Sequence, residues 1–230
     1  MPKRGKKYRA LLEKVDPRKV YSVEEASKIL KELSPTKFDS TVEIHMNLKV
    51  DPTQADQVIR STVGLPHGTG KEVRVVAFVE DANVKEALDA GVVKAGITEL
   101  TTEIEKGWLD FDVAVAHPDV MKSLGKIART LGQKGLMPNP KAGTVTPNIA
   151  EAIAETKKGK VEFRNDKQGN LHNAIGKVSF TEEQLKDNIE TYLKAIIANR
   201  PPGVKGTFIR SVTATTTMGP GIKIDIGAYL

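Results

Sequence analysis

The sequence predicts an α+β protein in which one texture of strands and helices is interrupted by an inserted segment of a different kind. Three observations carry this. Residues Thr41 to Val50 alternate Val42, Ile44, Met46, Leu48 and Val50 with Thr41, Glu43, His45, Asn47 and Lys49, the period of a strand with one buried and one wet face. From Glu72 to about Lys158, short apolar runs at Val73–Val79 and Phe111–Ala116 are of the kind buried on both faces. Helical patterns stand between and after them, which implies a parallel sheet covered on two sides. At Lys160 the first texture returns, so the expected division is 1–67 plus 159–230 around an insert at 68–158.

Charge supports the division. The 230 residues carry a formal net charge of +6, yet residues 68–158 hold 12 Lys and Arg against 13 Asp and Glu, while the flanks hold 23 against 16. A basic excess confined to one part marks a polyanion site there. The absence of cysteine removes disulfides, thiolate zinc sites and thiol nucleophiles. No apolar run approaches membrane-spanning length, and the basic leader Met1–Arg9 precedes no signal-like apolar core, so a soluble, cytoplasmic protein is expected.

Taken in order, Ala10–Leu12 reads as a short helix. Ser22 with Glu25 is a capping-box pattern, and Ala26, Ile29, Leu30 and Leu33 follow at helical spacing until Pro35. After the Thr41 strand, Gly64–Lys71 resembles a phosphate loop only in passing: Leu65 stands where the first glycine belongs and Glu72 where the hydroxyl belongs. It reads instead as a hinge. Helices are expected at Ala82–Ala90, Thr101–Lys106 and His117–Leu131, then a turn-rich loop at Gly135–Val145 and a helix at Ile149–Glu155. Val161–His172 reads as a hairpin of strand, polar turn and strand, with Gly169 in the turn. Thr181 with Gln184 is a second capping box, opening a helix whose apolar stripe is Leu185, Ile189, Tyr192, Leu193, Ile196 and Ile197. The strand-like run ending Thr213-Ala214-Thr215-Thr216-Thr217-Met218-Gly219-Pro220 offers short hydroxyls and a bare backbone, and a last strand alternates Ile222, Ile224 and Ile226.

Enzymatic signals are weak. No G-x-G-x-x-G follows the Val73 strand, the histidines His45, His67, His117 and His172 stand without ligand spacing, and Asp110, Asp112, His117 and Asp119 read as strand-end polarity. A DNA reader would need a recognition helix, whereas the helices here are one-faced core helices.

Three separated motifs, Gly135-Leu136-Met137-Pro138-Asn139-Pro140-Lys141-Ala142-Gly143-Thr144, Phe163-Arg164-Asn165-Asp166-Lys167 and Thr215-Thr216-Thr217-Met218-Gly219-Pro220, resemble the bacterial large-subunit ribosomal protein L1 (stalk protein) family in order and spacing over essentially the whole chain. One departure is Gly132-Gln133-Lys134, where the family usually has Gly-Pro-basic. The resemblance implies a discontinuous two-layer RNA-binding domain with an inserted Rossmann-like domain. It also implies binding to the ribosomal RNA stalk beside the exit site, where deacylated tRNA leaves, and repression of the protein's own operon messenger. No catalysis, cofactor or metal is implied, and the free protein is expected to be a monomer.

Carried onto matching positions, the RNA-binding residues implied are Lys37, Phe38, Ser40, Thr41 and Glu43 at the first strand, Arg164, Asn165, Lys167, Gln168, Gly169 and His172 at the turn, and Thr215, Thr217, Met218 and Gly219. Short hydroxyls and bare backbone suit 2′-hydroxyls and sugar edges across a shallow groove. The leader's Lys3, Arg4, Lys6, Lys7 and Arg9 would meet phosphates. Glu43 reads either as an acceptor for a 2′-hydroxyl or amino group or as a solvated strand residue. Met218 reads as packing on a ribose or base, or as core filler, and His172 as an RNA contact or a turn support. The insert is expected to swing on the connections at 64–71 and 157–160.

Overall fold

The computed structural model describes residues 5–229. Its elements, in chain order, are α1 (Lys6–Leu12), β1 (Val20–Tyr21), α2 (Val23–Glu32), β2 (Thr41–Leu48), β3 (Arg60–Gly64), β4 (Val75–Phe78), α3 (Val84–Asp89), β5 (Lys94–Ala95), α4 (Thr98–Glu105), β6 (Val113–Ala116), α5 (Ala128–Lys134), α6 (Ile149–Lys157), β7 (Lys160–Arg164), β8 (Asn170–Lys177), α7 (Glu182–Ala198), β9 (Ile209–Thr216) and β10 (Ile222–Ile224). They fall into two compact units, the chain through Gly70 together with the chain from Val161, and Lys71–Lys160.

In the first unit a five-stranded sheet runs β1-β10-β9-β2-β8, with β2 antiparallel to both β8 and β9. The alternation in β2 is realised residue by residue, with Val42, Ile44, Met46 and Leu48 buried and the residues between them half-buried. Helices α2 and α7 pack on that apolar face and on each other. Both begin in complete capping boxes. Ser22 Oγ accepts from Glu25 N at 3.2 Å, and Thr181 Oγ1 accepts from Gln184 N at 3.2 Å, with the Glu25 and Gln184 side chains accepting from the cap amides in return. Each such cap contributes about 1 kcal/mol. Leu30 and Leu33 from one helix end, with Leu185, Ile189, Tyr192 and Leu193 from α7, close the core.

The second unit holds a three-stranded parallel sheet, β5-β4-β6. Successive β4 residues point to opposite faces and all are buried, Val76 and Phe78 with Leu100, Leu124 and Leu131, and Val75 and Ala77 with Ala87 and Ile153. This is the doubly covered strand expected from the apolar run.

Two sequence expectations are corrected. The run from His117 is a 3-10 helix over Pro118–Lys126, followed by the separate α5. Gly125 lowers α-helical propensity toward the end of that stretch, and the apolar spacing survives through Val120, Leu124, Ile127 and Leu131. The strands β7 and β8 flank a polar turn but do not pair as a hairpin. β7 pairs with β3 in a two-stranded sheet, and β8 pairs with β2. Asn165 makes the switch, because its amide donates to Ile59 O at 3.2 Å while its side-chain Oδ1 accepts from Ile59 N at 2.8 Å, which holds the chain to the β3 side before the turn.

Candidate nucleic-acid interface

With α2 and α7 on one face of the five-stranded sheet, the other face presents the polar residues of β2 and its neighbours. Register aligns them in rows. Thr41 stands opposite Lys177, Glu43 between Ala174 and Thr215, His45 between His172 and Thr213, and Asn47 between Asn170 and Ser211. Lys223 extends the histidine row through its pairing with Thr213. Several rows are tied side chain to side chain: Lys177 Nζ donates to Thr41 Oγ1 at 2.8 Å, and Asn47 Nδ2 to Asn170 Oδ1 at 2.7 Å. Such cross-strand pairs fix side-chain direction on a face opposite the one on which α2 and α7 pack.

At one end of the face β9 runs into a tight turn. Thr217 N donates to Thr41 O at 3.0 Å, and Thr41 N donates to Thr217 Oγ1 at 3.1 Å, so the threonine is locked beside the start of β2. Gly219 N donates to Thr216 O at 2.8 Å. Thr215 Oγ1 donates within the same turn, to the carbonyls of Thr216 and Gly219 at 3.1 and 3.2 Å. A Cβ on Gly219 would collide with Thr216 Oγ1 and lie 2.9 Å from Leu33 O, so only glycine fits. Met218 lies at the apex with φ 64° and is 76% exposed. A non-glycine residue in left-handed geometry costs about 1–2 kcal/mol, and here no burial of its side chain offsets it.

Phe38, 62% exposed, stands in the loop just before β2. That loop is braced from below: Ser40, fully buried, exchanges hydroxyl bonds with Ser34 at 2.7 Å and with Thr36, and Asp39 accepts from Ser179 N at 3.0 Å and Ser179 Oγ at 2.8 Å. Lys37 is exposed beside them. The turn after β7 is braced by Asp166, whose Oδ1 accepts from Gln168 N at 2.8 Å and Asn170 N at 2.7 Å. The Asn170 amide holds the Asp166 carboxyl below its usual range. Arg164, Lys167 and Gln168 project outward from it. Gly169 has φ 78°, and its carbonyl accepts from Leu48 N at 2.9 Å, which seats the turn on β2.

Across β2 and β8, His45 Nδ1 and His172 Nδ1 lie 2.9 Å apart, with Glu43 Oε2 3.6 Å from His45 Nε2 and Asp166 Oδ2 3.7 Å from His172 Nε2. Burial lowers the affinity of His45 for a second proton, and the neighbouring His172 lowers it further, against the opposing pull of Glu43. The two histidines therefore form one unit, which their separation in the sequence conceals.

The structure thus brings Thr41, Glu43, His172, Thr215, Thr217, Met218 and Gly219 onto one face with Phe38 and Lys37 at its rim and the 164–169 turn on β2. Ser40, Asn165 and Gly169 are buried and position their neighbours through the bonds above. Lys6, Lys7 and Arg9 lie on α1, which the rows do not include, and Lys3 and Arg4 fall outside the described residues. His45, Asn47, Asn170 and Lys177 join the face by strand register, a signal that becomes readable only once β2 and β8 are paired.

The acidic group in the second unit is an ion-pair cluster. Arg74 pairs with Asp110 and with Asp112, at 3.2 Å for the latter, and Lys71 Nζ donates to Asp112 Oδ1 at 2.6 Å. Partial burial would push Asp112 up, but the bonds from Lys71 and Arg74 outweigh it and hold its carboxyl down at about 2. Among the described residues no group of three or more His, Asp or Glu side chains is placed to hold a metal ion.

Residues 30–220 match the Ribosomal protein L1p/L10e family. The chain is 55% identical over 226 residues to a large ribosomal subunit protein uL1 of Thermus thermophilus, covering 98% of this chain and 99% of that one. It is also 55% identical over 228 residues to the uL1 of Chloroflexus aurantiacus, covering 98% and 96%, and 50% identical over 227 residues to that of Fervidobacterium nodosum, covering 98% and 97%. A wet sheet face with a strained, exposed apex, in a chain matched along nearly its full length, has one consistent assignment: this protein belongs to the ribosomal protein L1p/L10e family and is a ribosomal protein, not an enzyme.

Proposed function

We propose that the split unit is an RNA-binding domain that anchors the protein to large-subunit ribosomal RNA at the mobile stalk of the cytoplasmic ribosome, and that Lys71–Lys160 is an inserted Rossmann-like domain. The observation that carries this reading is Met218, exposed at 76% and held at φ 64° between Thr217 and the half-buried Gly219. Strain kept at an exposed apex, with no packing in return, is the mark of a contact residue. The surrounding hydroxyls and peptide groups suit the shallow groove of RNA, and the basic excess of this part of the chain suits phosphates.

Within the same reading, Thr41, Glu43, Thr215 and Thr217 contact sugar and base edges, Phe38 and Met218 pack on exposed ribose or base faces, and Lys37, Arg164 and Lys167 meet phosphates. The names of the relatives support placement in the large subunit. Assistance to release of exit-site tRNA and repression of the operon messenger follow the family resemblance, the second by binding a messenger structure similar to the stalk. The experiment that tests the core of the reading is competition for a structured stalk RNA fragment. Duplex DNA of equal length should fail to displace it, and efficient displacement by DNA would overturn the RNA reading in favour of a general polyanion surface. Loss of translation of the protein's own leader messenger on its addition in vitro, with an unrelated messenger unaffected, tests the repressor role.

A further inference from the structure

At the far end of β2 from Met218, the open face terminates in a cleft of about 310 Å³ whose lining includes Lys49, Val50, Asp51, Lys205 and Arg210. Its walls are built rather than incidental. The register of β2 against β9 shifts between Asn47 and Leu48, which pair with Ser211 and Ile209, so Arg210 is the extra residue of a β-bulge. Bulges re-aim a side chain, and this one directs a guanidinium into the cleft that the regular ladder would have placed elsewhere. Lys49 N donates to Phe208 O at 2.7 Å, which joins the two strands at the cleft floor. The loop bearing Lys205 is clamped by Arg200, whose Nη2 donates to Val204 O and Gly206 O, each at 2.8 Å.

The three cations Lys49, Lys205 and Arg210 make no ion pair among the described residues, although Asp51 lines the same cleft. Asp51 is engaged otherwise, accepting from Thr53 N at 3.0 Å and Thr53 Oγ1 at 2.7 Å. A net positive, partner-free cleft of this shape suits a phosphate, with Arg210 able to offer a planar fork and the lysines point charges. The turn that carries Lys167 adjoins it, since a Cβ on Gly169 would meet Val50 at 3.2 Å.

We propose that this cleft is a second, phosphate-binding end of the RNA interface, taking the phosphodiester backbone of the same structured RNA whose sugars and bases are read at the Thr217–Met218 end. The eight residues of β2 separate the two ends by roughly 25 Å. The inference rests on the RNA reading above and adds to it a division of labour along one strand: recognition at one end, electrostatic anchoring at the other.

The test is a salt series of binding to a structured stalk RNA fragment, with the full chain. The variant Lys49→Gln/Lys205→Gln/Arg210→Gln is compared with Lys28→Gln/Lys31→Gln/Lys194→Gln, which removes the same charge from the helical layer. The cleft variant should lower the slope of log K against log salt by about two, at roughly 0.7 per phosphate released, and weaken binding on the order of tenfold at low salt. The helical-layer variant should leave the slope unchanged. Asp51→Asn should strengthen binding, an effect that a folding defect could not mimic. Equal losses in both triple variants, or no loss in the cleft variant while wild type binds in a salt-dependent way, would overturn the cleft alone. Wild-type binding indifferent to salt would overturn the RNA reading itself, and the cleft with it.

Discussion

His45 and His172 face each other across β2 and β8 with their Nδ1 atoms 2.9 Å apart, so one ring must donate and the other accept. The pair is thus stable only while at least one Nδ1 is unprotonated.

Burial and the His172 ring hold His45 below its ordinary value of 6.5, so the unfolded chain takes up that proton more readily than the folded one. The stability this geometry contributes is complete above about pH 6.5 and is lost as pH falls through the lowered value. Denaturant midpoints at about pH 7.5 and about pH 5.5 should differ more for wild type than for His45→Gln. In a proton NMR titration His45 should move upward when His172 is replaced by Ala. An unshifted His45 in the wild-type protein would contradict this account of the pair.

Met218→Gly relieves the left-handed strain at the apex of the β9 turn while removing the exposed side chain. Glycine tolerates that φ but costs unfolded-state entropy, so the net effect on folding should lie between zero and about 1 kcal/mol of stabilisation. RNA affinity should nevertheless fall. A variant that is both less stable and fully active in binding would show that Met218 is packing residue rather than contact.

Asn188 is fully buried in α7 and makes three bonds that no other side chain can replace: Nδ2 donates to Ile175 O at 2.7 Å and Gly68 O at 2.9 Å, and Oδ1 accepts from His67 N at 3.2 Å. Asn188→Ala should cost about 2–3 kcal/mol in urea denaturation by orphaning buried backbone groups. Asn188→Leu should not restore it, because volume is not what is missing.

Acidification has a separate consequence in the Lys71–Lys160 unit. Asp112, held at about 2 by Lys71 and Arg74, stabilises that unit fully above its ordinary value of 3.8, and the contribution is lost as pH falls toward about 2. Asp112→Asn should flatten the acid limb of the thermal stability profile of the full chain, and an unaltered limb would remove this ion-pair cluster from the acid response.

Local physics made much of this fold readable. The Ser22–Glu25 and Thr181–Gln184 capping boxes, the alternation begun at Thr41 and the doubly apolar Val73–Val79 run depend on neighbours a few residues away; the caps stand where the pattern put them, while β2 stops at Leu48, short of Val50, and β4 occupies only Val75–Phe78 of its run. What escaped the sequence depends on long-range pairing. The His45–His172 contact, the departure of β7 toward β3 and the bulge that frees Arg210 all follow from strand register, which periodicity cannot supply. The same holds for Asn188, which reads as an ordinary polar residue on a helix until the Gly68 backbone is seen beside it. Of the residues the resemblance points to, Ser40, Asn165 and Gly169 stand inside and brace the surface rather than form it.

The central claim is that the Thr217–Met218 end of the open sheet face is a specific RNA site, and the most direct measurement is a salt series of binding to a stalk RNA fragment for wild type, Thr217→Ala and Met218→Ala. Wild type should bind tightly, weaken with salt at roughly 0.7 per neutralised phosphate, and lose most of its affinity in either variant with the salt slope retained. Weak binding that neither substitution alters would contradict the claim and reduce the face to a generic basic surface.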